Sequence, residues 1–142
     1  MTFECLSLCE PLLRSLQSAG YQEATPIQQK AIPQVLKGRD IIGCAQTGTG
    51  KTAAFALPTL QLLMTPNAAP TGADRRRQRS GRRVIRALIL APTRELAEQI
   101  SAELATFSGK VRVGVVYGGP IVLIFVGLAL RAVSLKIHAA GT

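Results

Sequence analysis

The sequence contains no tryptophan, and aromatic residues make up only 4% of its 142 positions. A nucleic-acid binder built on rows of stacking rings is therefore not expected. Three cysteines, Cys5, Cys9 and Cys44, are too few and too oddly counted for a disulfide scaffold, and with the lone His138 they do not make a metal site. They read as small hydrophobes of a reduced, cytoplasmic protein. Acidic residues are also scarce, with 8 Asp+Glu against 17 Lys+Arg for a net charge of +9, and none follows Glu103. The first thirteen residues hold Glu4 and Glu10 but no Lys or Arg, which is unlike a secretory leader. No apolar stretch is long: residues 121–130 form the longest, ten residues where a bilayer span needs about 20. The expectation is one soluble domain without membrane association, apolar enough at 47% hydrophobic residues to bury a core.

The charge is concentrated. Residues 74–86 hold seven arginines and one aspartate, so this short segment carries most of the net charge. It attracts polyanions if it is a binding element, and is a solvated flexible loop otherwise.

Periodicity and turn chemistry predict a helix over residues 8–19, with Leu8, Leu12, Leu13 and Leu16 in one stripe, Pro11 in the first turn and Gly20 as the stop. Thr25-Pro26-Ile27-Gln28 opens a second helix with a capping box, running to Gly38 with a bend or break at Pro33. Residues 41–45 read as a short buried strand, and a helix over residues 51–64 follows, with Pro58 inside it. Residues 65–83 are loop by composition. Residues 84–91 read as a strand buried on both faces. Thr93 caps a helix with Leu96, Ile100, Leu104 and Phe107 inward, ending at Gly109, and residues 111–117 form a further strand closed by Gly118-Gly119. This βαβαβ order implies an α/β fold with a parallel sheet flanked by helices, half of a doubly wound domain.

Between the first strand and its helix lies Ala45-Gln46-Thr47-Gly48-Thr49-Gly50-Lys51-Thr52. Gly48 and Gly50 let backbone N–H groups curl around phosphate oxygens, and the helix N-terminus adds its positive end. Lys51 is suited to the β- and γ-phosphates, and the Thr52 hydroxyl to Mg²⁺ held through the nucleotide. A chance glycine-rich turn is the bland alternative; strand before, helix after and Gly-Lys-Thr together favour nucleotide binding.

These blocks, with Phe3, Gly20-Tyr21, Thr25 to Gln28, Pro92-Thr93-Arg94-Glu95-Leu96-Ala97 and Gly118-Gly119, resemble the front part of a DEAD-box ATP-dependent RNA helicase, most of all the bacterial RhlE-type branch. The general phosphate-loop pattern has glycine where Ala45 stands, and alanine there is the form this family uses. The resemblance covers residues 1–119, with a Q motif at 1–29 and the arginine-rich loop at 65–83. It implies a partial RecA-like P-loop NTPase domain with an incomplete sheet, ATP and Mg²⁺ as cofactors, and RNA bound through its backbone without sequence preference. It further implies that Gln28 reads the adenine edge, that Phe3 stacks on the ring, and that Pro92, Thr93, Arg94, Gly118 and Gly119 line the RNA groove. Without the family, Gln28 is a capping-box residue, Thr93 a helix cap, Arg94 a solvated residue and Gly118-Gly119 a turn. An unrelated P-loop NTPase or kinase fits the 25–28 and 92–97 blocks poorly.

Hydrolysis on a phosphate loop needs a second carboxylate at the end of an apolar strand. The two aspartates, Asp40 and Asp74, are misplaced for that role, and the Asp-Glu-Ala-Asp motif is absent. The chain is thus expected to bind without hydrolysing. From Pro120 onward the sequence departs from the family's pattern, and a frameshift or gene end is favoured over a divergent tail. Residues 120–142 are expected not to complete the sheet. The other reading is a non-catalytic nucleotide- and RNA-binding fragment, or a product without function.

Overall fold

The computed structural model describes residues 1–46, 48–65, 85–109, 111–118 and 121–127. Thr47, Gly119, nearly all of the arginine-rich loop and residues 128–142 lie outside these. The elements are α1 (Glu10–Ser18), α2 (Pro26–Leu36), α3 (Lys51–Met64), β1 (Ile85–Ala91), α4 (Arg94–Ser108), β2 (Arg112–Gly118) and β3 (Ile121–Gly127).

The four helices form where the apolar period and caps demand them. Leu12 and Leu16 are the buried side of α1, and Ala97, Ile100, Leu104 and Phe107 that of α4. Both α2 and α3 continue through their internal prolines, Pro33 and Pro58. Leu12, Leu16, Ile32, Leu57, Leu60, Leu104 and Phe107 are almost fully buried and form the centre of the core, each stabilising by about 1.5–3 kcal/mol. Polar ties fix the joints. Gln61 of α3 accepts the Cys9 N–H through Oε1 at 2.7 Å and donates through Nε2 to the Ser7 carbonyl at 3.1 Å, so it supplies the cap that α1 lacks. The half-buried Arg86 guanidinium donates to the Leu63 carbonyl in the last turn of α3, a favourable end for a cation. Burial lowers its pKa from the ordinary arginine value.

The sheet has the order β1-β3-β2, with β3 antiparallel to both neighbours. The outer strands β1 and β2 therefore run parallel to each other, the sense expected of two successive strands of this fold, but they do not pair directly. Ile124 of β3 lies opposite Ile89 on one side and Val115 on the other.

Two expectations are corrected. Residues 41–45 are not a strand: they have no regular structure, and Ile42 is 81% exposed. A short parallel strand exists only by pairing with a neighbour, and residues 41–45 pair with none of the described strands. β1 is not buried on both faces. Ala87 and Ile89 turn to the core while Leu88 and Leu90 are 50% and 62% exposed, because α4 covers only one side. The sheet stays incomplete, as expected, but part of the tail joins it. Residues 121–127 are its central strand, since an apolar, β-branched run satisfies any open strand edge it can reach.

Candidate nucleotide-binding site

The segment between α2 and α3 turns on two glycines. Gly48 and Gly50 have φ of +78° and +79°, the left-handed region that glycine enters freely. A Cβ on Gly48 would meet open space, whereas one on Gly50 would fall 2.3 Å from Gln28 Nε2. Gly50 is therefore required twice, by conformation and by close approach. It is also the N-cap of α3, so it offers no side chain to the helix's first N–H groups.

Lys51 begins α3 and folds back over the loop. Its Nζ donates to the Gln46 carbonyl at 2.9 Å and to the Ala45 carbonyl. The Thr49 hydroxyl donates to the same Gln46 carbonyl at 2.8 Å. The loop is thus curled by its own lysine, with the ammonium resting on neutral carbonyls that an anionic phosphate oxygen outcompetes. Phosphate fits this cradle: two positive-φ glycines, a helix N-terminus and a lysine at its mouth. Ile27, Ala31, Ile41, Ala54 and Phe55 line an apolar pocket next to Lys51.

Gln28 is 1% exposed, and both ends of its amide are engaged. Oε1 accepts the Thr25 N–H at 2.9 Å, which is the glutamine half of the capping box; Nε2 donates to the Gly50 carbonyl at 3.2 Å. The Thr25 hydroxyl is buried with no hydrogen-bond partner among the described residues. Gln28 therefore links α2 to the phosphate loop, and adenine can be read by this amide only after the Gly50 bond opens. Phe3 is 4% exposed and packs edge-on against Tyr21 at 6.2 Å, so the stacking face expected of it is taken up by the core.

The expected RNA-facing residues come to one end of the sheet. Pro92, Thr93 and Arg94 follow β1 and are exposed, and Gly118 ends β2. Ala91 and Tyr117 both lie opposite Val122, one on each side, so β3 separates the two blocks by two strand spacings, about 10 Å. Thr93 Oγ1 accepts the Leu96 N–H at 3.2 Å, making the predicted cap.

Two residues with no assigned role join the site. Glu103 of α4 is half-buried, with Thr52, the Ala53 backbone and Tyr21 near its carboxyl. Burial pushes its carboxyl above the usual range and those three neighbours pull it back; burial and the nearby Glu103 raise the Tyr21 phenol. Tyr21 is held by Phe3 on one side and by Phe107 at 5.5 Å on the other. The sequence does carry a signal for Glu103: it stands three residues after Ile100 and four before Phe107, an acid on the core-facing stripe of a helix.

A family model described as DEAD/DEAH box helicase matches residues 25–123, more than half of the chain. The ATP-dependent RNA helicase CshA of Limosilactobacillus reuteri is 48% identical over 122 residues, covering 84% of this chain and 21% of the relative. The chain thus spans about a fifth of the length of the curated relatives it matches. Among solved structures, the RNA helicase Prp28 from Chaetomium thermophilum bound to ADP is similar at TM-score 0.65 and 39% identity, over 83% of this chain and 27% of that one. Dbp5 of S. cerevisiae bound to RNA and ADP BeF3 gives TM-score 0.58 and 31% identity, over 76% and 24%. With that family model spanning more than half of its length, the chain belongs to the DEAD/DEAH box helicase family.

Proposed function

We propose that the chain binds ATP or ADP through residues 45–52 and RNA backbone through the 92–94 and 118–119 blocks, without hydrolysing ATP by itself. The observation that carries the nucleotide part is the curled loop whose two glycines and lysine lie at the start of α3. Backbone N–H groups from Gly48 onward and the Lys51 ammonium hold the phosphates, and Thr52 is the residue suited to hold Mg²⁺ against them. That ion neutralises charge on the β- and γ-phosphates when bound. Gln28 then exchanges Gly50 for the adenine edge, an amide being matched to one donor and one acceptor side by side. Hydrolysis fails for want of the acidic motif: Asp40 is exposed before the loop, and no Asp follows Asp74. Equilibrium binding of labelled ATP tests this reading: saturable binding is expected, and its complete absence contradicts it.

RNA binding is supported by an exposed Arg94 at the sheet end and by the charge of residues 74–86. Arg86 is tied to α3 instead of serving that charge alone. Replacing Arg75, Arg76, Arg77 and Arg79 with alanine is expected to weaken binding of single-stranded RNA and to flatten its salt dependence, as fewer counterions are released. Affinity and salt slope both unchanged would make the segment a spacer.

A further inference from the structure

The side-chain bonds that curl the phosphate loop converge on two carbonyls. Lys51 Nζ donates to the Ala45 carbonyl and, at 2.9 Å, to the Gln46 carbonyl, and the Thr49 hydroxyl donates to that same Gln46 oxygen at 2.8 Å. A carbonyl oxygen has two lone pairs, so both donors share it without competing. They differ in what they do when an anion arrives. The ammonium exchanges neutral carbonyls for charged phosphate oxygens, which are the stronger acceptors. The Thr49 hydroxyl is neutral, and its bond spans the turn at Gly48, where φ is +78°. Nothing in that bond has to change when a phosphate enters.

We propose that Thr49 is a positioning residue that takes over the loop when Lys51 turns to the nucleotide. In the free chain both residues hold the Gln46 carbonyl, and the Thr49 bond is redundant. With the ammonium on phosphate, the Thr49 hydroxyl is the side-chain donor that stays on Gln46 among the described residues. It keeps the loop curled, with its backbone N–H groups turned toward the phosphate oxygens. A loop that stays curled avoids an ordering cost that would otherwise weaken binding. Thr49 thus acts through the backbone and the released lysine, without touching the ligand.

The inference rests on the phosphate-loop reading, and the experiment separates the two. ADP affinity is measured for the intact chain, Thr49→Val and Thr49→Ser, and amide hydrogen exchange of residues 46–51 is followed in free and in ADP-saturated protein. Valine keeps the branched shape and removes the hydroxyl; serine keeps the hydroxyl. Thr49→Val is expected to bind ADP about three- to tenfold more weakly, the usual effect of losing one hydrogen bond, and Thr49→Ser to restore the affinity. In Thr49→Val these amides are expected to exchange at the intact chain's rate without nucleotide, where Lys51 holds the loop, and faster than the intact chain's once ADP saturates it. Faster exchange already in the free variant would make Thr49 an ordinary brace of the loop. No faster exchange with ADP, an unaltered affinity, or a loss that serine does not restore would likewise overturn the proposal. An intact chain that does not bind ADP would defeat the phosphate-loop reading first, and this inference with it. If Thr49→Val does not fold, Thr49→Ala removes the same hydroxyl and is held to the same outcomes.

Discussion

Lys51→Ala is expected to weaken ATP binding by about a hundredfold, which corresponds to about 2.7 kcal/mol. The lysine is the only cation among the described residues that reaches across the loop, holding the Ala45 and Gln46 carbonyls. Binding exchanges those neutral acceptors for charged phosphate oxygens, and a charge-assisted hydrogen bond contributes about 1.5–3 kcal/mol. Alanine also removes the tie that curls the loop, so the cradle must be ordered at the cost of binding energy. The fold itself is expected to persist, because the ammonium lies at the surface of the molecule and helix α3 gains a better helix former. Equilibrium binding of labelled ATP to both proteins, with circular dichroism as the control for folding, reads the effect. Equal affinity would remove the loop from the nucleotide site.

Phe107→Ala is expected to lower stability by about 3–5 kcal/mol, the usual loss for an aromatic side chain deleted from a core. The ring is 1% exposed and meets Tyr21 edge-on at 5.5 Å. Two effects add: the transfer of the ring, and the void left beside Tyr21. Domain stabilities span about 5–15 kcal/mol, so a chain this short loses much of its margin. Urea unfolding followed by circular dichroism gives the midpoint; a change under about 1 kcal/mol would mean that α4 does not pack where the structure puts it.

What could be read from the sequence was the local part. The stripes of α1 and α4, the Thr93 cap and the Gln28 half of the capping box follow from neighbouring residues alone. The left-handed turn at Gly48 and Gly50 was legible for the same reason, since these glycines and Lys51 lie within eight residues. Pairing was not legible. Residues 41–45 and 121–127 are both short apolar runs, and only the second pairs with neighbouring strands, which no local pattern reveals. The role of Phe3 shows the same limit: an aromatic residue near a nucleotide motif can face the ligand or the core, and here Tyr21 takes it into the core. Glu103 required the packing of α4 against α3 to bring residues half the chain apart together. Its place on an apolar stripe was visible, its partners were not.

The central proposal is that the chain holds nucleotide without turning it over, with a phosphate loop but no acidic motif in its sequence. The most direct test is phosphate release from ATP in the presence of Mg²⁺ and RNA, at a protein concentration where ATP binding is saturated. Release at the rate of buffer alone is the expected result. Release above that rate, lost again in Lys51→Ala, would contradict it.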